Sequence, residues 1–559
     1  MTPSLSLSPM AFLPTILLFL LLLLSATSSA LPRTSLPPLP TQDDRKPAAI
    51  HQACKATRFP TICEQTLAGS ELPAGEPSAA DLIKAAMDAT AAPLQSATSL
   101  SQSIVDSARD NLNLSTVASR CVLGLGNSTY RIGMSSNPDT IRMNIRDVRA
   151  WLSVALSYQS GCHSALKAFN TTAPVGSAVN LLDSLTMLTS NALSLAFAFD
   201  RFGNDTDSWM PPQTERDGLI ASPSHVPGSG LPAGFQRGFD GLEPDVVVCK
   251  DGAEGCLGTV QGAVDSAPES GSGMFVIKIK EGVYDEIVRV PFIKKNVVFL
   301  GAGMGKTVIT GSLRSGNGVS TYDSATVGIV GDGFMARDIT FQNTAGPGSF
   351  PAVAFRSESD LSLIENCEFI GHQDTLYAHS LRQLYRSCRI QGTVDFVFGH
   401  SASVFHDCLI LIAPRQLSPE QGVVNVIAAH GRIDPAQSTG FVFRNCIVNG
   451  TAEYMRYYSA RPAAYRNYLG RPWREYARTV FLHSYLGGLM SPQGWLPWAG
   501  DFGLTTLYYG EFENFGPGAN TSQRVPWSSQ IPSQNVELYS VENFIQGDEW
   551  IKSPDYKRY

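Results

Sequence analysis

Two aspartates carry the chemistry this sequence is equipped to do. Asp374 stands seven residues after Cys367 and Asp395 seven after Cys388, so the two occupy one place in successive copies of a repeat. Strands stacked in register lie about 4.8 Å apart, which sets the carboxylates one above the other and couples their titrations. Like charges at that range push two pKa values apart, as an acid/base group beside a nucleophile requires. Gln373 places an amide donor next to the first aspartate, suited to a developing oxyanion, and Thr393-Val394-Asp395-Phe396-Val397-Phe398 surrounds the second with apolar residues. Leu469-Gly470-Arg471-Pro472-Trp473 adds a guanidinium and an aromatic in a rigid turn. An arginine paired with Asp395 keeps it ionised as the nucleophile and leaves Asp374 to exchange the proton. The alternative is a solvated aspartate ladder that caps turns.

The elements that must position these groups follow the same repeat. Ile364-Glu365-Asn366-Cys367, Tyr385-Arg386-Ser387-Cys388, Phe405-His406-Asp407-Cys408 and Phe443-Arg444-Asn445-Cys446 share one apolar-polar-Cys pattern. Their cysteines stand 21, 20 and 38 residues apart (388 − 367, 408 − 388, 446 − 408), the last gap being close to two units. A period near 20 with short β-rich runs predicts a solenoid, best met by a parallel β-helix over 244–559, with an irregular β-sandwich as the alternative. Residues 48–200 follow a different rule. Apolar residues recur there at three and four, as in Leu82, Ile83, Ala86 and Met87 and again in Ile145, Val148, Leu152 and Ala155. That spacing predicts amphipathic helices packed antiparallel, an all-α four-helix bundle. Residues 201–243 between the two gather Gly, Pro, Ser and Asp, the composition of a linker.

Composition narrows the function classes. With 43% hydrophobic and 16% charged residues in 559, the chain is neither a disordered polyelectrolyte nor a coiled coil. A net charge of −7 removes the electrostatic footprint of a nucleic-acid binder. Residues 1–30 read as a secretory signal peptide, apolar over 16–24, ending in Ser28-Ser29-Ala30, and short for a membrane span. No later run reads as a membrane or lipid anchor. Sequons at Asn113, Asn127, Asn170, Asn204, Asn449 and Asn520 fit glycosylation on the secretory route. Ten cysteines fall into an early group of four and a late group of six, as in two separately stapled domains, with the pairings open. Nine histidines show no metal-ligand spacing, so no metal is expected. The run 301–307 lacks the first glycine of a phosphate loop, and 399–403 ends in Ser where a serine-hydrolase elbow needs Gly.

At these residues the chain resembles the plant pectin methylesterases (pectinesterases). Gly282-Val283-Tyr284-Asp285-Glu286, the Gln373-Asp374 segment, the Asp395 segment and Leu469 to Trp473 are similar to that family's signatures, in order, over most of 245–559. The resemblance implies a right-handed parallel β-helix that hydrolyses methyl esters of homogalacturonan, the pectin backbone, to methanol and free carboxylate without a cofactor. It implies that Asp395 attacks the ester carbonyl and that Asp374 is proton donor, then base for the deacylating water. Gln373 would stabilise the oxyanion, and Arg471 and Trp473 would bind sugar and orient Asp395. Thr321 and Tyr322 are similar to a substrate-contacting segment, a strand-turn role being the alternative. Tyr377, Phe398, Trp473 and Trp498 offer faces for sugar rings, with a core role open for Tyr377 and Phe398. Two departures stand out: Pro351 where the family has a second oxyanion-assisting Gln, and His372 where it has Tyr. The first implies an active enzyme with one oxyanion donor fewer.

Residues 48–200 are similar to the pectin methylesterase inhibitor domain, with Arg58-Phe59-Pro60 between Cys54 and Cys63 and then Cys121 and Cys162 among helices. That likeness implies Cys54–Cys63 and Cys121–Cys162 bridges and a pro-region that restrains or chaperones the enzyme in cis. Separate inhibitor proteins are the other partner class. Arg201, Arg216 and Arg237 stand isolated where such chains carry a basic processing site, which points to an uncut, self-inhibited chain. Within the enzyme region, Cys367–Cys388 and Cys408–Cys446 bridges between neighbouring coils are expected. The implied protein is a secreted, monomeric enzyme of the plant cell wall. The rivals are a glycosidase or lyase on the same fold, or a wall-bound inhibitor or structural protein with a weakened β-helix.

Overall fold

A short polar residue precedes each cysteine of the repeat, and its backbone is left-handed: Asn366 (φ 48°), Ser387 (53°), Asp407 (54°) and Asn445 (54°). Asn and Asp enter that region more readily than other residues that carry a Cβ. One such residue per coil turns the chain at the same point each time, so successive strands return in register. A computed structural model of the chain describes residues 42–108, 110–169, 172–218, 237–415 and 422–551. The signal peptide expected over 1–30, the sequon at Asn170 and residues 219–236 of the linker lie outside them.

The result is a parallel β-helix with three faces, sheets of 11, 7 and 8 strands among the described residues. In the 7-stranded sheet Phe355–Ser357, Leu376–Ala378, Val394–Gly399, Val423–His430 and Tyr465–Gly470 lie side by side, all parallel. Register stacks like on like inside. Tyr385, Phe405, Phe443 and Phe481 form a column with ring centroids 4.9, 4.7 and 4.4 Å apart.

The cysteines form a second column, and here the expected bridges are corrected. Cys367, Cys388, Cys408 and Cys446 are free and buried in the core. Side chains of one register column run parallel, so their sulfurs keep roughly the 4.8 Å strand spacing instead of closing to about 2.05 Å. The thiols turn to backbone carbonyls: Cys388 Sγ donates to Ile364 O (3.6 Å), Cys408 Sγ to Tyr385 O (3.4 Å) and Cys446 Sγ to Phe405 O (3.3 Å). Burial pushes the thiols of Cys367, Cys388 and Cys408 well up, so they stay protonated. Cys54–Cys63 and Cys121–Cys162 are bonded as expected, and Cys249–Cys256, left unpaired by the sequence reading, closes a short loop.

Four long helices, Ala91–Ser107, Leu112–Ser135, Ile145–Lys167 and Ala173–Phe202, make the bundle, with four shorter helices among and before them. Burial follows the three-four spacing, as in Leu94, Ala97, Ser101 and Ile104. Asn111 starts the second long helix, its Oδ1 accepting from Leu114 N at 3.1 Å. Ala173–Phe202 is long and apolar enough to cross a membrane, but 67% of its most apolar stretch is buried in the protein.

The bundle lies along the edge where strands of the 7-stranded sheet end. Arg131 forks onto Asp332 (2.7 and 2.7 Å), Asp147 meets Arg382, the Trp151 Nε1 donates to Asp360 (3.1 Å) and the Tyr158 hydroxyl to Glu358 (2.6 Å). Further along, Ser190 donates to Asp434 (2.6 Å), and Gln437 donates to the Ser153 carbonyl (2.8 Å). The linker joins this clasp through Glu215, buried against Arg478 at 2.8 Å.

Candidate active site

The opposite edge, where the strands begin, holds the two aspartates. Leu376 pairs with Val397 and Tyr377 with Phe398, an offset of 21 that sets Asp374 beside Asp395 in adjacent coils. Asp374 N donates to Val394 O at 3.1 Å and fixes the two segments together. Both aspartates have left-handed backbones, φ 63° and 50°. Side-chain-bearing residues in that region mark turns or stored strain, and the latter gathers at functional sites. At Asp395 the ladder also slips: Val394 pairs with Val426 but Val397 with Ala428, one extra residue that re-aims the side chain between them. Gly399 closes the segment, where a Cβ would meet Ala378 O at 1.8 Å.

Asp374 is 9% exposed and Asp395 5%. Arg471 grips only one of them, Nε to Asp395 Oδ1 at 2.8 Å and Nη2 to Oδ2 at 2.6 Å. A bidentate fork matches an ionised carboxylate. Burial raises the Asp395 carboxyl above the ordinary range, and the hydrogen bonds and charge of Arg471 act against that rise. Burial and the neighbouring Asp395 drive Asp374 well above it, opposed only by the more distant charge of Arg471. The pair is therefore unequal: one carboxyl keeps its proton, the other is held as an anion.

Around it, Gln373 is half-buried and its carbonyl accepts from Ala352 N at 3.2 Å, one coil back. His372 keeps its Nδ1 buried without a hydrogen-bond partner. Tyr377 and Phe398 stack at 4.1 Å and are nearly buried, so they floor the site with Tyr322 and Trp473 packed against them. The Arg471 guanidinium lies 4.3 Å from the Trp498 ring centre. Thr321 serves a turn, its carbonyl accepting from Ser324 Oγ at 2.7 Å. Tyr322 is sandwiched between Arg356 (3.4 Å) and, from the bundle, Arg120 (5.2 Å). Among the sequons, Asn113, Asn204 and Asn520 are exposed and Asn449 half-buried. Asn127 is 8% exposed and faces the bundle–sheet junction, which leaves a glycan no room on the folded chain.

The sequence reading missed a second ladder. Glu358, His379 and His400 succeed one another by 21 residues (379 − 358, 400 − 379), the same step that links Asp374 to Asp395. They line the far edge of the sheet beneath Tyr158, with Tyr158 and His379 stacked at 5.7 Å. Burial lowers His379 to about 4 and His400 further, so both imidazoles are neutral. Applied to the whole segment, the spacing that found the aspartates would have found these residues. Phe350, beside Pro351, also escaped notice: it is 70% exposed with a left-handed φ of 61°. Among the described residues no cluster of three or more His, Cys, Asp or Glu side chains is arranged to hold a metal ion.

Residues 245–548 match the family model described as Pectinesterase, and residues 48–195 the one described as Plant invertase/pectin methylesterase inhibitor. The chain is 53% identical over 508 residues to probable pectinesterase/pectinesterase inhibitor 64 of Arabidopsis thaliana, covering 90% of this chain and 84% of that one. It is 40% identical over 412 residues to pectinesterase 2 of Citrus sinensis, covering 72% and 74%. Among solved structures, the pectin methylesterase from carrot is similar with a TM-score of 0.53 and 45% identity, over 55% of this chain and 95% of its own.

Proposed function

The chain belongs to the pectinesterase family, with an inhibitor-family domain ahead of the catalytic one, and from that premise we propose how its residues divide the work. The protein is a carboxylic ester hydrolase that removes methyl groups from pectin. The Asp395 carboxylate, oriented by the Arg471 fork, attacks the ester carbonyl carbon, and the Gln373 amide donates to the oxyanion that forms. Asp374 gives its proton to the departing methoxide, and methanol leaves. The remaining acyl-enzyme is an anhydride between Asp395 and the uronate carboxyl. Asp374, now anionic, takes a proton from water as the water oxygen attacks that carbonyl. Asp395 departs as carboxylate, Asp374 is protonated again and the uronic acid released then ionises.

The observation that carries this reading is the fork of Arg471 on one member of a buried pair, which assigns the two carboxyls different protonation states. Domain limits of 48–200 for the bundle, 201–243 for the linker and 244–559 for the enzyme fit it. So does a monomer secreted to the plant cell wall by way of a signal peptide at 1–30. The helical domain restrains or chaperones the enzyme by contact in cis, and separate inhibitor proteins are its counterpart in trans.

The test is methanol release from highly methylated pectin, with a specific protease site inserted between residues 219 and 236 so that the bundle can be severed. The cut enzyme should turn over, and Asp395→Asn should lose about 10⁴-fold or more in kcat. Turnover that survives the substitution would assign the nucleophile elsewhere.

A further inference from the structure

A cavity of about 420 Å³ lies between the bundle and the far edge of the catalytic sheet. That is within the size of small-molecule sites. The β-helix supplies its aromatic wall, Tyr322, Tyr377 and Trp473, and the bundle supplies Asn127, Gly161 and Ser164 opposite. Two of its residues carry buried polar atoms with no hydrogen-bond partner, His400 Nδ1 and Arg474 Nε. Buried groups of that kind call for a partner that the protein itself does not provide. Arg474 donates to Ser164 Oγ at 3.3 Å and, among the described residues, forms no ion pair. The one carboxylate on the wall, Glu358, is already engaged by Arg356 and by the Tyr158 hydroxyl. Arg120 is balanced by Asp323 at 2.9 Å, which leaves Arg474 as the cation open to a ligand. Aromatic faces, hydroxyl and amide partners and one free guanidinium describe a site for a sugar acid.

We propose that this cavity binds the unesterified end of a short oligouronide, so that the product of the reaction bridges the two domains of the uncut chain. The inference rests on the pectinesterase reading and extends it. A ligand that touches both domains favours their closed arrangement in proportion to its occupancy. A methyl ester removes the charge that Arg474 recognises, so the fully esterified oligomer should not compete.

The experiment is calorimetric titration of the full-length chain with trigalacturonate and with its trimethyl ester. Gly161 lines the cavity, and a Cβ there meets no atom within 4 Å, so Gly161→Trp fills the space without moving the helix. Gly133 in the neighbouring helix is equally open but does not line the cavity, so Gly133→Trp serves as the control. The unesterified trimer should bind the parent and Gly133→Trp, and Gly161→Trp should lose that binding while keeping the parent's melting temperature. Equal binding by Gly161→Trp would overturn the proposal, because the trimer would then sit in the catalytic groove alone. Absence of binding to the parent would overturn it as well. Methanol release by the severed enzyme is read separately, so a failed cavity and a failed pectinesterase reading give different results.

Discussion

Buried carboxylates stand at both edges of one sheet and come to opposite states. Where the strands begin, Asp374 and Asp395 are 9% and 5% exposed and both are raised; where they end, Glu358 and Asp360 are 1% and 4% exposed and both are lowered. Desolvation pushes all four the same way, so partners decide the outcome. Against that push, Asp360 receives Arg382 through Nε at 3.1 Å and Nη2 at 2.8 Å and falls to about 2. Glu358 is opposed by the charges of His379 and Arg356 and by the Tyr158 hydroxyl. Asp374 has another carboxylate as its neighbour. The bundle grips the satisfied edge through Asp147, Trp151 and Tyr158, and no side chain of the bundle bonds Asp374 or Asp395 among the described residues. One edge holds the domains together, and the other is left frustrated for chemistry.

Breaking the clasp should give the largest effect on stability. Arg382→Ala leaves both Asp360 and Asp147 without their guanidinium, and the loss of one partner from a buried pair costs about 3–5 kcal/mol. Urea unfolding of the full chain measures it; a change below about 1 kcal/mol, the range of exposed pairs, would mean that the edge is not held this way. At the chemical edge, Pro351→Gln restores an oxyanion donor one coil from Gln373. A fully used donor contributes about 2.7–4 kcal/mol, so kcat for methanol release should rise by at most about 10³-fold. Abolished hydrolysis in that variant would refute the role given to this position.

A smaller effect sharpens the contrast through stability. The raised Asp374 pKa means that the folded chain binds that proton more tightly than the unfolded chain. Its contribution to stability is therefore favourable at acid pH and is lost as pH rises above the unfolded value, about 3.9, toward the folded one. Asp374→Asn cannot titrate, so it should melt higher than the parent at neutral pH, with the difference shrinking on acidification. A melting temperature unchanged at neutral pH would contradict the burial account. The same substitution at Asp360, where the pKa is lowered, should have the opposite sign.

Much of this was legible in the residues, because a parallel solenoid writes its register into its spacing. The 21-residue step from Cys367 to Cys388 is the step from Asp374 to Asp395 and from Phe355 to Leu376 in the ladder. The three-four periodicity of 48–200 likewise gave the bundle. The cysteine bridges were misread because spacing tells which side chains share a column and not whether they converge. Parallel side chains stack, so thiols that share a column stay apart. The clasp escaped because its charges come from both regions: Arg131 meets Asp332 and Tyr158 meets Glu358 across roughly 200 residues, and no local pattern announces such pairs. Nor does residue type reveal that Asn127 faces inward.

The most direct test of the unequal pair is the pH dependence of kcat/KM for methanol release by the severed enzyme. An ionised Asp395 and a protonated Asp374 require a bell, with an acid limb from the nucleophile and an alkaline limb from the proton donor, both displaced above the ordinary carboxylate range. A rate that climbs steadily toward alkaline pH, with no descending limb, would mean that Asp374 does not donate the proton and that the two edges of the sheet do not differ in the way described.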